Sequence, residues 1–120
     1  RDLKPENVLS LTIQKEYQIE NDYGDMITLP ATPDIKVIDF GGATYDNDRH
    51  KSSIINTRQY RAPEVILDLG WSKAADCWSA GCIAAELQQG ELLFATHGDR
   101  EHIALMEKCC GPFPLQLVKK

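Results

Sequence analysis

Two short runs rich in apolar and β-branched residues stand early in the chain. Val8-Leu9-Ser10-Leu11-Thr12-Ile13 reads as a strand, and Asp34-Ile35-Lys36-Val37-Ile38 as a second, with polar and apolar residues alternating before its apolar end. Between them, Gln14 to Pro33 is polar and acidic and closes on Pro30 and Pro33, which predicts an elaborated, partly mobile hairpin connection. The stretch Tyr45-Asp46-Asn47-Asp48-Arg49-His50-Lys51-Ser52-Ser53 is polar without a period, hence loop. From Cys77 to Ala85 the only polar side chain is Ser79. That pattern predicts a helix from Lys73 to about Gln89, capped by Ser72, apolar nearly all round and therefore buried. Gly90 ends it. Asp99 is expected to cap a further helix from Arg100 to about Cys110, stopped by Gly111-Pro112, with Ile103, Met106 and Cys110 as its core-facing stripe.

Composition narrows the options. A chain of 120 residues can bury one small core. Its net charge of −5, from 18 Asp+Glu against 13 Lys+Arg, argues against a nucleic-acid-binding surface and suits a basic substrate. No apolar run approaches the ~20 residues of a membrane span, and no signal-peptide pattern occurs. Cys77, Cys82, Cys109 and Cys110 have no C-x-x-C spacing and no His at a metal-ligand interval. They read as reduced thiols, with Cys77 and Cys82 as small buried hydrophobes of the apolar helix.

The chemistry lies in an ordered set of short motifs. Arg1-Asp2-Leu3-Lys4-Pro5-Glu6-Asn7 opens the chain, Asp39-Phe40-Gly41 ends the second strand, and Arg61-Ala62-Pro63-Glu64 follows. Each alone is an ordinary turn or cap sequence. In this order and spacing they resemble the catalytic loop, metal loop and segment end of protein kinases. Phosphoryl transfer has a loose transition state, so it needs positioned charge more than covalent chemistry. The resemblance implies Asp2 and Lys4 as catalytic residues, the first orienting the attacking hydroxyl and the second holding the γ-phosphate. It implies Asn7 and Asp39 as oxygen ligands of Mg²⁺. ATP would be bound by Lys4, Glu6, Asn7, Leu9, Ile38 and Asp39, with Glu6 near the ribose and Leu9 and Ile38 under the adenine. Lys4 is the type of residue found there in Ser/Thr kinases.

The same resemblance makes 39–64 an activation segment, with Ser52, Ser53, Thr57 and Tyr60 as candidate phosphosites. Thr57 would touch Asp2 and Lys4, Tyr60 would face substrate, and Arg1 would balance a phosphate or acidic side chain. Glu64 and Asp76 would give structural support, Asp76 by holding the backbone of the Arg1-Asp2 loop. Arg61, directly before Ala-Pro-Glu, resembles the CMGC group. Glu101-His102-Ile103-Ala104-Leu105-Met106-Glu107-Lys108 resembles the E-H-L-A-M-M-E-R signature of the LAMMER, or Clk-type, dual-specificity kinases. Gly70-Trp71-Ser72, Thr96-His97 and the long strand connection fit that family too, whereas Gly42 stands where it commonly has Ser.

The expected fold is therefore α+β: part of the large, mainly helical C-terminal lobe of a protein kinase, with a β-hairpin carrying the catalytic and metal loops. Residues 1–120 would form a partial kinase domain, with catalytic loop 1–7, strand insertion about 14–33, activation segment 39–64, buried helix about 73–89 and LAMMER-like helix about 100–110. The resemblance implies ATP and Mg²⁺ as cofactors and basic Arg/Ser-rich splicing factors as protein substrates. It implies no direct nucleic-acid or membrane partner, and nuclear or nucleocytoplasmic residence. No G-x-G-x-x-G occurs. The nucleotide-binding lobe and the rest of the large lobe are thus expected as partners in a longer parent, and the segment alone is expected to be inactive. The alternatives are a truncated, non-catalytic chain acting by binding, and a pseudokinase, which the presence of Asp2, Lys4, Asn7 and Asp39 disfavours.

Overall fold

A computed structural model describes residues 1–11, 16–45, 47–48 and 54–114. Ser52, Ser53, Thr12 and Ile13 lie outside the described residues. The chain divides into two compact units, one of Pro5–Asp39 and one of Arg1–Lys4 with Phe40–Lys120.

In the first unit a single 3₁₀ turn, Pro5–Asn7, leads into β1 (Val8–Ser10), which pairs antiparallel with β4 (Ile35–Val37). The register is Val8 with Val37, Leu9 with Lys36 and Ser10 with Ile35. The bond Leu11 N–H to Asp34 O (3.0 Å) carries the pairing one step beyond the strands.

The expected elaborated connection contains strands of its own. Residues Glu16–Glu20 (β2) and Met26–Pro30 (β3) form a second antiparallel hairpin. Its register sets Tyr17 opposite Leu29 and Ile19 opposite Ile27, so these four share one face, with Gln18 and Thr28 on the other. A period-2 pattern was therefore present inside a segment whose mean polarity hides it. The turn follows from Asn21 and Gly24. Asn21 Oδ1 accepts from the N–H of Tyr23 and of Asp25, both at 2.9 Å, and Gly24 takes φ 87°, which costs glycine little.

The second unit is helical. A 3₁₀ turn, Arg58–Tyr60, precedes α1 (Pro63–Ile66), α2 (Ala74–Gln89) and α3 (Asp99–Cys110). Ile55, Ala62, Val65 and Ala75 form a buried cluster against which Trp71 and Trp78 pack. Helix α2 starts one residue later than expected: Lys73 is the cap position, and Ser72 Oγ accepts Ala74 N–H at 3.3 Å. Gly90, at φ 79°, closes it by donating its N–H to Glu86 O at 2.8 Å.

Burial of α2 corrects the sequence expectation. Only Ala75, Ser79, Cys82 and Ile83 are buried, and Cys77 is exposed. An apolar surface all round a helix permits burial on every side, but only packed neighbours provide it. Among the described residues they cover one face.

The cap of α3 differs as well. Gly98 occupies the cap position without a side-chain bond, and Asp99 is the first helical residue, paired instead with Arg58 at 2.5 Å. Thr96 Oγ1 meets Glu101 Oε2 at 2.5 Å across the helix entry. The core-facing residues of α3 are His102 and Met106, each 0 % exposed, one helical turn apart. Cys110, expected in the core, is exposed.

His102 is the unexpected core member. Its ring packs at 53° to Phe94, with centroids 5.3 Å apart, and Phe94 stacks on Trp78 at 5.9 Å and 8°. Neither His102 nitrogen has a hydrogen-bond partner among the described residues. Burial, helped by the nearby Arg58 and Arg61 guanidinium groups and opposed by Asp99, holds its pKa below the usual histidine value. The unfolded chain therefore binds the proton more readily. Stability is fully present above the unfolded pKa of about 6.5 and is lost as pH falls from there through the folded value, at about 1.4 kcal/mol per unit of depression. Urea midpoints at pH 7.5 and 5 should fall steeply for the wild-type protein and much less for His102→Leu. Equal falls in the two proteins would rule out His102 as the source.

Candidate active site

In the helical unit several side chains gather around Asp2. Its Oδ1 accepts two bonds from Thr57, from the backbone N–H at 2.9 Å and from the hydroxyl at 2.7 Å. Its other oxygen, Oδ2, lies 3.0 Å from Lys4 Nζ. Burial alone raises the Asp2 carboxyl, but the Thr57 and Lys4 bonds together outweigh it and hold the group below the usual carboxylate range. Asp2 is thus a fixed, ionised acceptor at neutral pH. The expected contact of Thr57 with Asp2 is present, and Lys4 reaches the same carboxylate from the other side.

The backbone around Asp2 is tied down from several directions. Arg1 O accepts Asn56 N–H at 2.9 Å, and Arg1 Nε donates to Gly42 O. The Arg1 guanidinium lies 5.7 Å from the Trp71 ring centroid, a cation–π arrangement. Asp76 Oδ1 is 3.9 Å from the Arg1 backbone nitrogen, longer than the hydrogen bond expected of it. Arg1, Trp71, Lys73 and Asp76 border a cavity of about 270 Å³.

The loop carrying Thr57 is pinned to α2. Ser79, fully buried, lies with its Oγ 2.7 Å from Tyr60 O and accepts from Asn56 Nδ2 at 3.2 Å. Tyr60 OH donates to Glu86 Oε2 at 2.6 Å, and Arg61 donates to Ile55 O at 3.0 Å and Asn56 O at 2.9 Å. These Arg61 bonds hold the peptide next to Asn56, whose φ of 64° is unusual for a non-glycine residue. Glu64 sits in the first turn of α1. Two of the proposed phosphosites are otherwise engaged: the Thr57 hydroxyl by Asp2, and the Tyr60 hydroxyl by Glu86 with the residue only 6 % exposed. Sequence reasoning missed Ser79 and Glu86, because nothing in a helical sequence says which face the preceding loop will meet.

The strand unit carries Asn7 and Asp39. Asn7 is buried, and its backbone O accepts Ile38 N–H at 2.9 Å, which sets Asn7 beside the residue preceding Asp39. Asp39 is exposed, with φ 64°. That left-handed turn ends β4 and is more readily adopted by Asp than by most residues. An amide oxygen and a carboxylate on adjoining backbone are hard donors suited to a cation that keeps part of its water shell. Among the described residues no group of three His, Cys, Asp or Glu could hold a metal by itself, so any ion here would share its shell with water or phosphate. Leu9 lies exposed on β1, Ile38 is half-buried and Glu6 is exposed.

Asp2, beside a lysine and held below the usual carboxylate range, and the Asn7 and Asp39 residues of the strand unit stand in the order of the motifs described above. The family model for the protein kinase domain matches residues 1–114. A crystal structure of a kinase domain superposes with a TM-score of 0.83 and 47 % identity, over 98 % of this chain and 36 % of that one. The chain belongs to the protein kinase family. Within it the likeness is to the Clk-type, LAMMER kinases. Human dual specificity protein kinase CLK1 is 49 % identical over 99 % of this chain and 24 % of its own length. Serine/threonine-protein kinase AFC2 of Arabidopsis thaliana is 49 % identical over 99 % of this chain and 29 % of its own. Serine/threonine-protein kinase Doa of Drosophila melanogaster is 45 % identical over 98 % and 14 %. The chain thus spans less than a third of the length of each of these curated relatives. No helix among the described residues is long and apolar enough to cross a membrane.

Proposed function

We propose that this chain is the catalytic-loop and activation-segment part of a dual-specificity protein kinase that transfers the γ-phosphoryl group of ATP to Ser, Thr and Tyr hydroxyls, chiefly in Arg/Ser-rich proteins. The observation that carries the reading is the Asp2 carboxylate, held ionised between Thr57 and Lys4.

Asp2 orients the acceptor hydroxyl and takes its proton. Its depressed pKa makes it a weak base, which suits a loose transition state in which the nucleophile keeps its proton until late. Lys4 places a point charge on the transferring phosphoryl oxygens. Asn7 and Asp39 would hold Mg²⁺, which supplies charge neutralisation at the phosphates. Leu9 and Ile38 offer apolar surface to the adenine, and Glu6 a carboxylate to the ribose hydroxyls.

The test is transfer of labelled γ-phosphate from ATP to an alternating Arg-Ser peptide by the full-length protein. Transfer should be abolished by removing Mg²⁺ with EDTA and restored by adding it back. Failure to label the peptide in the presence of Mg²⁺, or labelling that survives chelation, would refute the reading.

A further inference from the structure

Asn56 stands directly before Thr57, and both polar groups of its backbone are engaged. Its N–H donates to Arg1 O at 2.9 Å, and its O accepts from Arg61 Nη2 at 2.9 Å. Between these two bonds the chain turns through φ 64°. Glycine adopts that conformation freely, and Asn more readily than most other residues. Glycine would therefore serve the backbone as well, so the Asn side chain needs a reason of its own. Asn56 Nδ2 donates to Ser79 Oγ at 3.2 Å, 23 residues away on the buried face of α2. Ser79 is 0 % exposed, and its Oγ also lies 2.7 Å from Tyr60 O and 3.2 Å from Ala75 O. A hydroxyl has one proton and two lone pairs. Two carbonyls compete for that proton, so Ser79 meets Asn56 as an acceptor, and the amide nitrogen has to face it.

We propose that Asn56 is a positioning residue for phosphoryl transfer, its amide anchored on Ser79 so that Thr57 is held against Asp2; the inference rests on the kinase reading above. Asn56, Thr57, Asp2 and Ser79 all belong to the same compact unit. The Thr57 N–H and hydroxyl both end on Asp2 Oδ1, at 2.9 and 2.7 Å. A rotation of the backbone at Asn56 would therefore loosen both bonds together. Helix α2 is the fixed reference against which that rotation is stopped. Ser79 braces the loop on both sides of Thr57, at Asn56 and at Tyr60. Without the amide, glycine at 56 could still reach φ 64° but would sample other conformations too. Thr57 would then clamp Asp2 for only part of the time. The loss belongs to turnover more than to binding, since misplacement of a catalytic group by about 1 Å can cost about 100-fold in rate.

The experiment compares the full-length kinase with Asn56→Gly, Ser79→Ala and the double variant, using ATP and the alternating Arg-Ser peptide. Asn56→Gly keeps every backbone bond and removes only the tether. It should lower kcat by about tenfold, leave KM for ATP and peptide near wild type, and speed amide hydrogen exchange at Thr57. Ser79→Ala should also lower kcat, and Asn56→Gly should then add little to it, because the two residues act through one bond. Should Ser79→Ala fail to fold, Asn56→Gly decides alone by kcat and exchange. A wild-type kcat in Asn56→Gly overturns the proposal, and so does a raised KM with unchanged kcat. Losses that multiply in the double variant overturn Ser79 as the anchor. A lowered urea midpoint with unchanged kcat and exchange would make the bond merely structural. Exchange needs no turnover, so it separates the two ideas. Transfer by wild type with unchanged exchange and kcat in Asn56→Gly sinks the tether alone. Faster exchange in Asn56→Gly, with no transfer by wild type, sinks the kinase reading and leaves the tether standing.

Discussion

Asp2→Asn in the full-length kinase should lower kcat by about 10²–10⁴-fold while KM for ATP changes little. The geometry makes this a clean substitution on one side and a damaging one on the other. Asn can keep an oxygen where Asp2 Oδ1 now accepts from the Thr57 N–H and hydroxyl, at 2.9 and 2.7 Å, so the loop should stay in place. The amide NH₂ then faces Lys4 Nζ, which now lies 3.0 Å from a carboxylate oxygen. A donor replaces an acceptor against an ammonium, and no group remains to take the hydroxyl proton. The loss should appear in single-turnover phosphoryl transfer and not in nucleotide affinity, because it concerns the transition state. A variant with wild-type single-turnover rate would remove Asp2 from the chemistry.

Phe94→Ala should have the largest effect on stability, about 3–5 kcal/mol. Phe94 is only 2 % exposed and sits between the Trp78 and His102 rings. Its removal leaves a cavity bordered by two groups that already lack partners among the described residues, Trp78 Nε1 and the His102 nitrogens. Water entering that space can bond to them, which places the expected loss toward the lower end of the range. The same water gives a second readout. His102 should titrate closer to its ordinary value in the variant, because desolvation is the main cause of its depression. The acid-side loss of stability between pH 7.5 and 5 should flatten accordingly. Against a typical domain stability of about 5–15 kcal/mol, a loss of this size is readily measured by urea denaturation. A change below about 1 kcal/mol would show that the Trp78–Phe94–His102 stack is not a main support of α3.

These two residues also show how differently the site and the core are written. Asp2, Lys4, Asn7 and Asp39 are legible in one dimension because the motifs of the family fix both residue type and spacing along a short loop and a strand end. Phe94 and His102 are not, since their importance comes from meeting each other across a turn. Nor could the sequence say that Tyr60 would give its hydroxyl to Glu86, which turns a candidate phosphosite into a buried tether.

Sequence alone determined the family, the motif residues, the two long helices to within a residue or so, and the pairing of the segments at Val8 and Ile35. Local signals suffice there, because glycine ends, β-branched runs and motif spacing act over a few residues. Tertiary structure decided the rest. It folded the acidic connection into a hairpin whose alternation was masked by its polarity. It covered one face of α2 and left Cys77 outside, chose His102 over Cys110 for the core of α3, and clamped Asp2 with Thr57. Each of these depends on which distant surface arrives to exclude water or offer a partner, and burial and hydrogen bonding between residues far apart in sequence have no local signature.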